Sequence, residues 1–309
     1  MAANETETNL HTKPSHMQIW LMAARPRTLP AAAAPVIVGS AAAFSTGHFS
    51  LLPALAALLG ALLLQIGANI ANDLFDFHRG ADTPDRLGPT RVTSARLLTP
   101  EEVRRGMIVV FGLAVLCGLY LAIHAGWPVI AIGVLSIMAA LAYTGGPYPL
   151  GYHGLGEVAV FIFFGLAAVC GTYYVQALRF DWISVWAAIP MGLLIVAILI
   201  VNNLRDAATD RATGKMTLAA RFGEVWAQRE YLFVVAAAYL IPPLMWLFGA
   251  AGWPVMLAWL SLPWFLPLAR EIRTLTGRPL NKVLAKTGQL TLVYGLFFSA
   301  GLILHAVIS

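Results

Sequence analysis

Long apolar stretches separated by short polar connections dominate the chain. A hydrocarbon core about 30 Å thick needs about 20 helical residues to cross it, and nine stretches approach that length. They run over about residues 29–44, 51–71, 107–124, 128–143, 155–178, 182–201, 231–249, 253–269 and 289–307. This pattern predicts an all-α membrane protein with about nine transmembrane helices in a single domain, residues 29–309. Residues 1–28 are more polar and are expected to form a cytoplasmic tail and an interfacial helix anchored by Trp20.

Composition agrees with a membrane protein. Hydrophobic residues make up 59% of the chain and charged residues 11%, and the mean hydropathy is +0.74. Soluble domains carry about 25% charged residues, so the composition argues against a soluble enzyme. The two cysteines, Cys117 and Cys170, lie inside apolar stretches and form no CxxC pair. A disulfide scaffold and a cysteine zinc site are therefore excluded.

The positions of the basic residues predict the orientation. With nine spans, every lysine and arginine except Arg179 precedes the first span or lies in the connections after the second, sixth and eighth spans. The positive-inside rule then places these segments and the N-terminus in the cytoplasm, and the C-terminus outside the cell (inner or plasma) membrane. The same asymmetry accounts for the net charge of +5 without a nucleic-acid partner.

Two polar stripes end the second and sixth spans. The first stripe consists of Asn69, Asn72, Asp73 and Asp76, and the second of Asn202, Asn203, Asp206 and Asp210. Each set shares one side of a helix at about 100° per residue. Carboxylates at the membrane edge are costly unless they are neutralised, and Mg²⁺ takes a few carboxylates together with substrate phosphate. The stripes predict opposite walls of one magnesium–diphosphate site; the alternative is that each is a solvated, capped helix end.

Basic residues and a glycine-rich connection add further candidates. Arg79, Arg91, Arg205 and Lys215 lie beside the stripes and can bind diphosphate oxygens, although the positive-inside rule alone would place basic residues there. The connection over residues 143–157 is rich in glycine, proline and tyrosine and can cover an aromatic substrate. For Tyr148 and Tyr152 in this loop, an interfacial aromatic belt is the alternative.

Four segments carry a resemblance to a known family. They are residues 24–30; residues 72–76 with Gly80 and Asp82; residues 143–147 with 154–157; and residues 202–206 with Asp210, 214–215 and 217–219. At these residues the chain resembles the UbiA superfamily of intramembrane aromatic prenyltransferases, and within it the branch of 1,4-dihydroxy-2-naphthoate polyprenyltransferases. The first family motif, N-x-x-x-D-x-x-x-D, departs at Gly80, after which the next carboxylate is Asp82.

The resemblance implies a UbiA-type bundle with a cytoplasmic cap of loops and short helices. It also implies Mg²⁺-dependent transfer of a polyprenyl group from polyprenyl diphosphate to 1,4-dihydroxy-2-naphthoate, with loss of CO₂ and diphosphate, giving demethylmenaquinone. The expected metal ligands are Asn72, Asp73, Asp76, Asp82, Asn203, Asp206 and Asp210. The expected catalytic residues are Asp76, Asp206, Asp210, Lys215 and Tyr143. The expected substrate-binding residues are Arg25, Arg27, Asn69, Arg79, Arg91, Tyr143, Asn202, Arg205 and Lys215.

Several alternatives stay open. A phytyl donor would suit the same acceptor, and 4-hydroxybenzoate or another aromatic acceptor would suit the same fold. A secondary transporter is the alternative from another class, but transporters bind their substrates near the bilayer midplane, whereas these carboxylates lie at helix ends. A phospholipid head-group transferase would need a D-G-x-x-A-R pattern that the sequence lacks.

Overall fold

The computed structural model describes residues 14–81 and 87–308, which form helices joined by loops. The helices are α1 (His16–Ala24), α2 (Pro30–Ser45), α3 (Leu51–His78), α4 (Pro100–Ala125), α5 (Trp127–Ala142), α6 (Gly156–Ala177), α7 (Trp182–Ala212), α8 (Leu218–Phe222), α9 (Glu224–Leu247), α10 (Trp253–Thr274) and α11 (Leu280–Ile308). Helix α6 contains a π-helical segment, Phe161–Ala167, and α10 begins as a 3₁₀ helix, Trp253–Ser261. The all-α prediction is confirmed.

All nine predicted apolar stretches are helical, but they differ in length. Among the described residues, seven helices are long and apolar enough to cross a membrane, namely α3, α4, α6, α7, α9, α10 and α11. An eighth is counted if His16–Thr28 and Pro30–Ser45, which meet at a bend of 51°, form one span. Helix α5 is apolar but has only 16 residues. The helices support a multi-pass membrane protein, and the count of nine stays a prediction.

Helix α7 is the centre of the bundle. Helices α2, α6, α9 and α11 pack around it, and 67% of its most apolar window is buried. Close approach to α6 depends on Gly165 and Gly192, because a Cβ placed on Gly165 would lie 2.7 Å from the Cα of Gly192. Small residues at helix contacts are a general means of packing helices in membranes. The second stripe therefore lies at the end of the most deeply buried of the long helices.

Helix α1 is docked on the bundle. Its N-terminus is closed by a capping box, in which the Ser15 hydroxyl accepts a hydrogen bond from the Gln18 backbone and the Gln18 side chain accepts one from the Ser15 backbone. Trp20 lies directly over Gly106 of α4, where a Cβ would come within 2.3 Å of the indole ring. Trp20 thus packs against protein, and its expected role as an interfacial anchor stays a prediction.

Three connections and α8 form a layer over one end of the bundle. The Met216 backbone N–H, after α7, donates to the carbonyl oxygen of Tyr152, after α5, at 3.0 Å. Asn281 at the start of α11 donates to the carbonyl oxygen of Leu87, after α3, at 2.9 Å. This layer covers the ends of α3 and α7, where the two polar stripes lie. The side of the membrane on which it lies stays a prediction.

Candidate active site

A cavity of about 910 Å³ opens beneath the loop layer. Both stripes contribute to its polar end, through Asn69, Asn72, Asp76, Asn202, Asn203, Asp206 and Asp210. The rest of the cavity runs between α3, α4, α5 and α6 and is lined by small and apolar residues, including Gly60, Gly118, Gly133 and Gly171. One cavity therefore combines an ionic end with a long apolar part.

Asp76 of the first stripe forms an ion pair with a buried arginine. Its Oδ2 accepts a hydrogen bond from Arg91 Nη2 at 2.6 Å, and its Oδ1 accepts one from the Tyr152 hydroxyl at 2.9 Å. Asn72 accepts one from the Thr144 hydroxyl at 2.9 Å. Asp76 and Arg91 are both buried, and an opposite charge is what makes a buried carboxylate tolerable. Asp76 and Asn72 thus tie two loops to the end of α3 while still lining the cavity.

The other two residues of the first stripe hold neighbouring segments. The Asp73 carboxylate accepts hydrogen bonds from the backbone N–H groups of Val92 and Thr93, at 2.9 and 3.1 Å. Asp73 is not among the described residues that line the cavity. Asn69 donates to the carbonyl oxygen of Ala24 at 3.0 Å and to the Thr28 hydroxyl at 2.9 Å. These contacts favour a structural role for both, and their metal and substrate roles stay predictions.

Asp206 of the second stripe is paired with an arginine. Asp206 receives two hydrogen bonds from Arg205, at 2.8 Å from Nε and 2.5 Å from Nη2. Arg205 also donates to the side-chain oxygens of Asn202 and Asn281. Gly88 passes over this guanidinium so closely that a Cβ there would lie 2.7 Å from Nη2. Glycine thus lets the connection after α3 close over the second wall.

Asp210 keeps an oxygen free among the described residues. Its Oδ1 lies 3.5 Å from Lys215 Nζ, whereas its buried Oδ2 has no hydrogen-bond partner in the described chain. Asn203 donates to Glu157 Oε1 at 2.9 Å, and Glu157 Oε2 is likewise buried without a described partner. A buried, unsatisfied carboxylate oxygen costs free energy. The second wall therefore retains a capacity to bind a cation or a donor group.

Tyr152 connects the two walls. Its hydroxyl donates to Asp76, and its ring lies 5.3 Å from the guanidinium carbon of Arg79 and 5.8 Å from Lys215 Nζ, measured to the ring centroid. Burial raises the pKa of Tyr152 well above its ordinary value, and the negative charges of Asp76 and, more weakly, Asp210 raise it further. Tyr152 is therefore a neutral hydrogen-bond donor near the carboxylates of both stripes.

The remaining predicted residues separate into two groups. Arg25, Arg27, Arg91, Tyr143 and Lys215 line the cavity. Arg79 lies outside it and donates to the carbonyl oxygens of Thr144, at 3.0 Å, and Gly146. Asp82 lies outside the described residues.

Several residues with contacts at the site, Thr144 and Asn281 among them, were not among the predicted site residues. Glu157 contacts Asn203, and Tyr152 contacts Asp76. Both belong to the glycine-rich connection over residues 143–157, which the sequence already marked as a covering loop. The sequence therefore indicated that this loop as a whole belongs to the site. Its composition gave no means of choosing between one tyrosine and another.

Comparison with known proteins gives matches along most of the chain. The model of the UbiA prenyltransferase family matches residues 32–298. The chain is 42% identical over 284 residues to the 1,4-dihydroxy-2-naphthoate octaprenyltransferase of Mycobacterium tuberculosis, covering 92% of this chain and 96% of that protein. It is 39% identical over 300 residues to the Escherichia coli protein of the same name, covering 94% and 96%.

A solved structure shows the same fold. It is a UbiA homolog from Archaeoglobus fulgidus bound to DMAPP and Mg²⁺, which superposes with a TM-score of 0.65 over 92% of this chain and 98% of that chain. Sequence identity between the two is 13%, so this likeness concerns the fold alone. Together the comparisons confirm the resemblance carried by the four sequence segments.

Proposed function

The chain belongs to the UbiA prenyltransferase family, and we propose that it transfers a polyprenyl group to 1,4-dihydroxy-2-naphthoate. The donor is a polyprenyl diphosphate, and the products are demethylmenaquinol (the reduced form of demethylmenaquinone), CO₂ and diphosphate. The observation that carries this proposal is the single cavity in which carboxylates, amides and cations meet a long apolar space. The names of the two bacterial relatives support the choice of acceptor.

The polar end fits a divalent cation and a diphosphate. Carboxylate and amide oxygens are ligands that Mg²⁺ prefers, and Asn72, Asp76, Asp206 and Asp210 bring them to one cavity. Within the described residues no three His, Cys, Asp or Glu side chains stand close enough together to hold a metal. Arginines neutralise Asp76 and Asp206 instead, and Asp210 Oδ2 is an oxygen without such a partner. When bound, Mg²⁺ would neutralise the charge that develops on the leaving diphosphate.

The cations that line the cavity have a distinct part in the proposal. Arg91, Arg205 and Lys215 would bind the outer diphosphate oxygens and stabilise the leaving group as the allylic C–O bond breaks. The electron pair of that bond departs with the diphosphate. Arg25 and Arg27, at the turn after α1, would bind the acceptor carboxylate, and the Tyr143 hydroxyl would orient a ring hydroxyl. The new C–C bond forms at the ring carbon that loses CO₂.

The apolar part of the cavity suits the prenyl chain. Its walls are built from alanine, glycine and aliphatic side chains of α3 to α6, and an allylic cation needs surroundings from which water is excluded. We also propose that the loop layer faces the cytoplasm, because the basic residues concentrate in these connections. A water-soluble aromatic acid and a lipid-tailed donor would then approach the site from different directions.

The test is turnover of a labelled polyprenyl diphosphate with 1,4-dihydroxy-2-naphthoate in nanodiscs, with and without Mg²⁺. Asp76→Asn and Asp210→Asn are compared with Glu224→Gln, which changes an exposed carboxylate at the start of α9. We expect Mg²⁺-dependent formation of demethylmenaquinol, detected as demethylmenaquinone after oxidation in air, that both aspartate variants abolish and the control retains.

Other outcomes would redirect the proposal. Parallel reactions with phytyl diphosphate and with 4-hydroxybenzoate test the donor and the acceptor. Turnover with 4-hydroxybenzoate but not with the naphthoate would keep the chemistry and replace the acceptor. Failure of folded protein to consume any prenyl diphosphate would contradict the proposal, and substrate flux into proteoliposomes would then favour a transporter.

A further inference from the structure

A second, smaller cavity is lined by Tyr152, whose hydroxyl contacts Asp76 of the main cavity. Its volume is about 420 Å³, and it is formed by the 147–153 loop, the connection between α7 and α8, and the ends of α3 and α8. The two cavities share no lining residue. They come together along the chain at Lys215, which lines the first cavity, and at its neighbours Gly214 and Met216, which line the second.

The charge of this second cavity is positive. Arg79 and Arg221 line it, and no carboxylate does so in the part of the chain that the structure describes. His153 lines it as well, with its ring stacked 3.6 Å from that of Tyr148. Two arginines facing one small cavity without an acidic partner form a local field that attracts anions.

Both arginines are fixed in place by the backbone. Arg79 donates through Nε and Nη2 to the carbonyl oxygens of Thr144 and Gly146. Arg221 donates through Nε to the Met216 carbonyl and through Nη2 to the His153 carbonyl, both at 3.0 Å. Neutral carbonyl partners leave the guanidinium charge uncompensated. An arginine that is held in this way loses little conformational freedom when an oxyanion binds.

A line of cations joins this cavity to the main one. Lys215, which lines the main cavity, and Arg79, which lines the second, lie within cation–π distance of the same Tyr152 ring. A phosphate group that moved from Lys215 to Arg79 would exchange one cation for the next beside a single side chain.

We propose that this second cavity is a phosphate-oxyanion site, held by Arg79 and Arg221, which takes the diphosphate after it leaves the main cavity. The role as a product site rests on the proposed function. The site itself rests on the two arginines, their carbonyl anchors and the shared Tyr152. Arg79 would thus act on the leaving group after the reaction, away from the main cavity.

The experiment measures binding of inorganic diphosphate to the full chain in phosphatidylcholine nanodiscs by calorimetry. The main cavity is kept filled with Mg²⁺ and an unreactive thio analogue of the donor. We expect diphosphate still to bind, and Arg221→Gln to weaken binding by about tenfold, since a charge-assisted hydrogen bond is lost. Arg229→Gln is the matched control, because Arg229 is an exposed arginine that lines neither cavity, and it should bind as the parent does.

Several outcomes would overturn the assignment. One is that the donor analogue abolishes diphosphate binding. Another is that Arg221→Gln and Arg79→Gln both bind diphosphate as the parent does, while thermal melting shows that both variants are folded. Nanodiscs that contain phosphatidylglycerol test whether the site binds a lipid headgroup instead. If they suppress diphosphate binding and added orthophosphate does not, the second cavity is a lipid site and the assignment is wrong. Failure of the proposed function is a separate result, in which the protein shows no turnover but still binds diphosphate in a way that depends on Arg221. That result would keep the site and remove its role in product release.

Discussion

The two polar stripes are similar in sequence, but their side chains make different contacts in the fold. At the end of α3, Asn69 and Asp73 hold the α1–α2 turn and the residues 92–93 segment, and Asp76 is paired on both oxygens. At the end of α7, Asp210 keeps a buried oxygen without a described partner. A stripe of amides and carboxylates is therefore evidence for a polar helix end, and only the contacts of each side chain show which members remain available to a ligand.

The largest effect should come from Asp210→Asn. Removing the available carboxylate should lower kcat by about 100-fold or more, as expected for loss of electrostatic stabilisation of a leaving group. Melting temperature should change little, because Asp210 Oδ2 has no described partner to lose and an amide oxygen can still face Lys215 Nζ, which lies 3.5 Å from Oδ1. Steady-state kinetics with thermal melting in the same nanodiscs checks this, and a folded variant with parental kcat would remove Asp210 from the site.

Asp73→Asn should show the opposite behaviour. An amide cannot accept two backbone N–H groups as the carboxylate does, so we expect a loss of about 1–3 kcal/mol in stability. Activity per folded molecule should fall far less than in Asp210→Asn. Asp181→Asn is a suitable comparison, since Asp181 caps α7 through one backbone N–H and asparagine caps helices about equally well. A stable, inactive Asp73→Asn would instead assign Asp73 to the metal site.

Asn69→Ala should have a smaller structural effect. It removes the hydrogen bonds to Ala24 and Thr28, which we expect to cost about 1–2 kcal/mol. The readout is faster proteolysis at the turn between α1 and α2, with a modest rise in the KM of the aromatic acceptor because Arg25 and Arg27 lie in that turn. An unchanged cleavage rate would contradict the structural role.

Tyr152→Phe should produce the smallest change. Loss of the hydroxyl that donates to Asp76 is expected to alter the Mg²⁺ concentration for half-maximal activity by about fivefold. The raised pKa of Tyr152 also has a pH consequence. The hydrogen bond that the neutral phenol donates to Asp76 is fully present below the ordinary tyrosine pKa of about 10. It is lost only as pH rises through the higher pKa of Tyr152 in the folded protein. A Tyr152-dependent loss of activity between pH 7 and about 9 would contradict this.

The sequence was most informative where one physical requirement dominates. Crossing a hydrocarbon layer forces long apolar helices, so the positions of the helices followed from hydropathy. Helix periodicity placed the two stripes on single faces, and both stripes reach one cavity. Span number was harder, because α5 and the bent pair of α1 and α2 fall near the length limit.

Roles within the site depend on contacts between distant segments, which periodicity does not contain. Asp73 faces residues 92–93, and Arg79 faces the loop after α5. Neither partner can be read from the spacing of the stripe. Tyr152 contacts Asp76 because the glycine-rich loop folds back over the end of α3, and Glu157, in the first turn of α6, contacts Asn203 of α7. Chemistry of residue types thus indicated the kind of site, while tertiary contacts decided which residues belong to it.

The apolar part of the main cavity has a consequence for enzymology. Several of its lining side chains, including Val115, Leu119, Ile130 and Val134, are among the exposed apolar residues of the described chain, so this part of the cavity is open to its surroundings. A lipid-tailed substrate that enters there is drawn from the surrounding membrane, so its effective concentration is its mole fraction among the lipids. Diluting it with carrier lipid at constant bulk concentration should slow the reaction, which is the signature of surface-dilution kinetics.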